Sequence, residues 1–162
     1  MLTLQRSTSI AVLLTAAVLA GCAKKDEAAV DTSSTSSTAV TTAPAPINLA
    51  DVAGKWNMRS VPTTGADTTA TPYVLTATSN TSGWTITFPG RKPIAVQVRT
   101  DGDSVTIDAG PFPSVRRKGV QVTTNTVSRL QGGNLVGIAT AHYKVKTADS
   151  VLILNTTGTR GQ

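Results

Sequence analysis

Cys22 is the single cysteine of the chain, His142 the single histidine and Glu27 the single glutamate. The chemistry open to these residues is correspondingly narrow. One cysteine forms no intramolecular disulfide. Ala20 and Gly21, directly before it, are small and leave the backbone open to a peptidase. A zinc site takes three or four N, S or O ligands, which one His and one Cys do not supply. A Ser-His-Asp triad needs His142 held by an acid beside an activated serine, and no Gly-x-Ser-x-Gly turn occurs. Asp67, Asp101, Asp103 and Asp149 stand in turn-like surroundings; only Asp108, at a strand end, has no such explanation. A Gly-rich phosphate loop with its lysine is also missing. No metal or cofactor is therefore expected, and an enzyme is the most distant of the functional readings.

What precedes Cys22 gives its chemistry a context. Arg6 is followed by the run Ile10 to Leu19, apolar except for Thr15. Ten helical residues rise about 15 Å, half of a hydrocarbon core of about 30 Å. Such a run is too short to span and fits the apolar region of a signal peptide. Leu19-Ala20-Gly21-Cys22 then resembles the lipobox of bacterial lipoprotein precursors. The resemblance implies cleavage before Cys22 and diacylglycerol on its thiol, with two or three acyl chains where one anchors only marginally. It implies a protein of the cell envelope held to a membrane through Cys22. Ala23 rather than Asp follows the cysteine, which in enteric-type sorting favours the outer membrane, facing the periplasm.

The expected organisation is a signal peptide over 1–21, a lipidated cysteine and tether over 22–47, and one domain over 48–162. Between Ala23 and Pro46 the chain is rich in Ser, Thr, Ala and Pro, with only Val30 and Val40 as larger apolar residues. Too little apolar surface is present to offset the entropy of ordering. As a coil these residues span about 27 Å r.m.s..

The remaining chain lacks helical periodicity. Short alternating runs separated by turn residues recur at intervals of about 8–12 residues, which reads as an all-β sandwich or barrel. Eight strands are expected: Lys55–Val61, Pro72–Thr78, Gly83–Phe88, Ile94–Thr100, Ser104–Ala109, Val120–Leu130, Asn134–Lys146 and Val151–Thr159. Pro89-Gly90, Asp101-Gly102, Gly132-Gly133 and Ala148-Asp149 supply turns between them. Hairpin connections throughout give a single antiparallel up-and-down meander, which removes its sheet edges by closing into a barrel. A two-sheet sandwich is the alternative. The inward set includes Trp56, Met58, Trp84, Ile86, Phe88, Ile94, Val96 and Val98, large enough together to fill a short barrel. His142 alternates with Ala141 and Tyr143 and belongs to the outer face.

Asn48 to Trp56 contains a one-turn segment followed by Gly54-Lys55-Trp56. This resembles the Gly-x-Trp opening of lipocalins and their calycin relatives. The resemblance implies that Trp56 closes one end of the barrel and that Arg160, at the end of the last strand, packs across it. The lipocalin Thr-Asp-Tyr loop is not matched, since Thr140-Ala141-His142-Tyr143 has no Asp. Small barrels that begin this way also resemble bacterial periplasmic inhibitors of proteases and lysozymes, which bind rather than catalyse.

Charge supplies the last signal. From residue 48 onward twelve Lys and Arg face six Asp, which accounts for the formal +6 of the chain. The densest cluster is Arg116-Arg117-Lys118, in the stretch Gly110 to Gly119 that reads as the longest loop. Phe112 lies in the same stretch, either as an exposed anchor or as a lid folded over the barrel. Arginines and aromatics are enriched at binding hot spots. The first expectation is therefore an envelope binding protein of unknown specificity, working through Phe112, Arg116, Arg117 and Lys118 on an envelope protein or anionic lipid. The alternative is a lipocalin-like carrier of a small apolar or amphipathic ligand. Nucleic acid is not an expected partner, because no aromatic platform is interleaved with the cations.

Overall fold

The structure is a computed structural model that describes residues 44–162; Cys22, the signal segment and most of the tether lie outside them. Eight strands form one closed antiparallel barrel in the order β1 to β8. They are β1 (Gly54–Pro62), β2 (Thr71–Ala77), β3 (Thr85–Thr87), β4 (Ile94–Asp101), β5 (Ser104–Pro113), β6 (Gln121–Gln131), β7 (Asn134–Tyr143) and β8 (Val151–Arg160). The expected meander is thus present, closed by β1 pairing with β8, and the sandwich alternative is set aside.

Alternation decides which side chains fill the interior. In β1, Trp56, Met58 and Ser60 are buried while Lys55, Asn57 and Arg59 face out. In β7 the same rule buries Leu135, Ala139, Ala141 and Tyr143 and exposes His142. Leu75, Leu135 and Val105 are fully enclosed, each contributing roughly 1.5–3 kcal/mol. Ile94, Val96 and Val98 are in phase with the core but only partly buried.

One end of the barrel is sealed. The single helical turn α1 (Leu49–Val52) is capped by Asn48, whose side chain accepts from the Ala50 amide. Val52 and Trp56 are fully buried, and the Trp56 indole donates to the Val52 carbonyl at 2.7 Å. Close strand approach also depends on glycine: a Cβ on Gly137 would stand 2.1 Å from the Val127 carbonyl oxygen.

Three local expectations are corrected. The two-residue turn between β4 and β5 is Gly102-Asp103, with Gly102 at φ +52°. β7 ends at Tyr143, not Lys146, because Tyr143 already bonds across to Ser150. Gly110 to Gly119 is not one long loop: β5 runs on through Pro113 after a bulge between Ala109 and Phe112. The Ser114 amide bonds to Val120 on the β6 side, so Pro111 and Pro113 face away from that ladder and their missing N–H groups cost it nothing. The remaining connection, 114–120, has seven residues, and the longest is instead β1–β2, residues 63–70, with eight.

Candidate functional site

The end opposite α1 carries the β1–β2, β3–β4, β5–β6 and β7–β8 connections. Here the sheet is incomplete. β3 pairs with β2 only from Val74 to Thr76, and β4 meets β5 only up to Ala109. Thr71–Tyr73 of β2 and Gly110–Pro113 of β5 therefore flank a gap that no strand bridges among the described residues. The Phe88 ring fills it, 5.6 Å between centroids from Tyr73 on one side and 5.6 Å from Phe112 on the other. Pro72, Pro89, Pro93, Pro111 and Pro113 surround the gap. Prolines lack the donor a pairing strand needs, so they keep these margins from zipping to each other or to another chain.

Behind Phe88 lies a cavity of about 70 Å³, lined by Tyr73, Phe112, Ala139, Ala141, Tyr143 and their neighbours. Outside it lies a groove of about 500 Å³ between the β1–β2, β3–β4 and β5–β6 connections. Thr71, Phe88, Val115 and Arg116 line both, so these four side chains form the wall between them. A cavity of about 150 Å³ admits benzene; half that volume takes about three heavy atoms, and anything longer exceeds it. Burial pushes the Tyr73 phenol up from its ordinary pKa, against a smaller opposing effect of the Ser60 hydrogen bond.

The four residues singled out for loop-mediated binding do not form one exposed surface. Phe112 is 5% exposed and faces the interior. The Arg116 guanidinium, 15% exposed, meets Asp67 at 2.6 Å and also donates to the Thr69 carbonyl and the Thr71 hydroxyl. It thereby ties the β5–β6 connection to β1–β2. Arg117 pairs with Asp149 at 3.0 Å and lies 4.0 Å from the centroid of the Tyr143 ring, tying the same connection to β7–β8. Lys118 is exposed. Hydrogen bonds from Thr69, and then the Arg116 charge, hold the Asp67 carboxyl below its usual range. The Thr147 hydroxyl, and then Arg117, do the same for Asp149.

Arg91 belongs to a second basic turn, Arg91-Lys92, and stands outside the candidate set Phe112, Arg116, Arg117 and Lys118. It lines the groove and donates to the Pro113 and Ser114 carbonyls, fixing the β3–β4 turn to β5. Its position after Pro89-Gly90 was visible, but nothing in the pattern showed that this turn packs against the end of β5. Asp108, left unexplained above, pairs with Arg99 at 2.7 Å and accepts from Asn125 at 2.6 Å on the outer wall. At the sealed end, Arg160 donates to the Ala53 and Asp51 carbonyls.

No protein-family model, curated protein or solved structure matches this chain.

Proposed function

We propose that this is an envelope binding protein whose ligand places a small apolar group inside the barrel, with the rest of the molecule in the lateral groove. The observation that carries the reading is the cavity behind Phe88, apolar and separated from the groove only by four side chains that line both. Small ligand sites combine an apolar interior with a few placed polar groups, and Arg91, Arg116 and Thr71 are such groups here. The ligand-in-barrel reading therefore moves ahead of loop docking, since Phe112 is turned inward and both arginines of the loop are held by carboxylates. Anchoring through acylated Cys22, with an outer-membrane location facing the periplasm, belongs to the same proposal on the strength of the lipobox resemblance. Catalysis is not part of it.

The test is calorimetric titration of small branched aliphatic ligands against the native protein and Ala139→Leu. The added methylenes fill the cavity at a stability cost of about 1–3 kcal/mol. The proposal expects binding to the native protein and none to a folded Ala139→Leu. Equal binding to both contradicts it.

One observation favours a second reading, docking of an envelope protein. Val127, Ile138, Val151 and Ile153 are exposed on the outer face of β6 to β8, Ile138 by 54%. Register sets Val127 beside Ile138. Under this reading Ile138→Ser with Ile153→Ser abolishes partner capture and leaves lumen binding unchanged.

A further inference from the structure

We infer that the ligand of this site is an anionic amphiphile, with a branched aliphatic end in the lumen and a carboxylate held by Arg91 in the groove. The inference rests on the lumen reading above and adds the chemistry of the head group. Three observations carry it.

First, the two compartments differ in size and character. The lumen, about 70 Å³, accepts a group the size of an isopropyl end. The groove, about 500 Å³, has room for a solvated head group. Thr71, Phe88, Val115 and Arg116 stand between them, and the Arg116 charge is already paired with Asp67, so a ligand occupying both passes the Phe88 ring beside a neutralised guanidinium.

Second, the groove has a net positive charge. Asp67 and Arg116 both line it, but they face each other at 2.6 Å and cancel. Arg91 remains. Among the described residues it forms no ion pair, and its recorded partners are the carbonyls of Pro113 and Ser114. A guanidinium has five N–H donors in a planar fork, so these two bonds leave part of the fork for a carboxylate.

Third, those two carbonyls hold Arg91 in place. Its guanidinium is fixed to the backbone at the end of β5 and the residue after it, Pro113 and Ser114, which directly follow Phe112 in sequence. A pre-positioned arginine loses less freedom on binding than a free lysine such as Lys118. Charge-assisted hydrogen bonds from such a group contribute enough for a tenfold or greater preference for a carboxylate.

The probes are 4-methylpentanoate and its neutral counterpart 4-methylpentan-1-ol, titrated into the folded protein at low salt. The acid is expected to bind at least about tenfold more tightly than the alcohol. Arg91→Gln should bring the acid down to the alcohol's affinity and leave the alcohol unchanged. Lys118→Gln, which removes the same charge from an exposed position, should preserve the preference. Equal binding of acid and alcohol to the native protein overturns the anion inference while the lumen reading stands. A preference that survives Arg91→Gln, or is lost equally in Lys118→Gln, also overturns it, because the effect is then one of net charge. Binding of neither probe overturns both readings.

Discussion

Arg160 lies across Trp56 at the sealed end of the barrel, its guanidinium carbon 4.6 Å from the ring centroid. The two residues are also direct partners in the β1–β8 register. The pair thus sits on the seam that closes the barrel, and the same guanidinium binds the Asp51 and Ala53 carbonyls at the end of α1. Arg160→Ala should destabilise the domain by about 1–3 kcal/mol, the sum of a cation–π contact and charge-assisted hydrogen bonds. Arg160→Lys should recover only part of this, because an ammonium has no planar fork. Urea unfolding midpoints check both values; a neutral Arg160→Ala would separate the seam from stability.

Glycine requirements differ along the wall. A Cβ on Gly137 would meet backbone, the Val127 carbonyl oxygen at 2.1 Å. A Cβ on Gly158 would meet the Met58 sulfur at 2.2 Å, the end of a flexible side chain. Gly137→Ala should therefore cost about 3 kcal/mol or prevent closure, and Gly158→Ala about 1 kcal/mol. Thermal unfolding of the two variants side by side tests the order; Gly158→Ala as the worse of the two contradicts it.

Two buried hydroxyls, Ser128 Oγ and Thr156 Oγ1, have no hydrogen-bond partner among the described residues. They flank Gly137 on the neighbouring strands β6 and β8. An unpaired buried hydroxyl costs about 1–3 kcal/mol. Thr156→Val keeps the shape and removes that hydroxyl, so it should leave stability unchanged or raise it by about 1 kcal/mol. A loss of more than about 1 kcal/mol in urea unfolding would show that the hydroxyl is paired.

The fold was legible in the sequence wherever alternation was strict. Trp56 and Met58, Trp84 and Ile86, and Ala139 and Ala141 fall on the inner face that period-two counting assigns them. The extent of β5 was not legible, because Gly110, Pro111 and Pro113 read as loop chemistry. Their tolerance in a strand depends on a missing β4 partner, which is a tertiary fact. The candidate site was half legible. Phe112 and Arg116 were singled out together and do line one cavity, but as parts of its wall and not as an exposed patch. Their inward placement follows from the bulge after Ala109, which shifts the register by an amount the sequence does not announce. The basic turn Arg91-Lys92 was legible, but the placement of Arg91 was not, since its contacts are more than twenty residues away.

Stability should fall at both ends of the pH scale. The Asp67 and Asp149 carboxyls titrate lower in the folded protein than their ordinary value of about 3.9. Their contribution is complete above that value and is lost as pH falls through the folded pKa. Since both tie the β5–β6 connection to its neighbours, acid should loosen the open end before the Trp56 end. Tyr73 titrates higher than its ordinary value of about 10. Its contribution is complete below that value and is lost as pH rises through the folded pKa. Amide exchange across 63–70 and 114–120 at pH 3 and pH 7 checks the acid arm. Equal protection at both values contradicts it.

The central claim is that a ligand's apolar end enters the barrel past Phe88, and methyl NMR tests it most directly. Ala139 and Ala141 methyls face the lumen, whereas Ile138 on the same strand and Val127 and Ile153 on its two neighbours face out. Titration with 4-methylpentanoate should produce saturable shifts at Ala139 and Ala141, with the three outer residues unmoved. Shifts confined to Val127, Ile138 and Ile153, with the lumen methyls silent, would place binding on the outer wall and contradict the account.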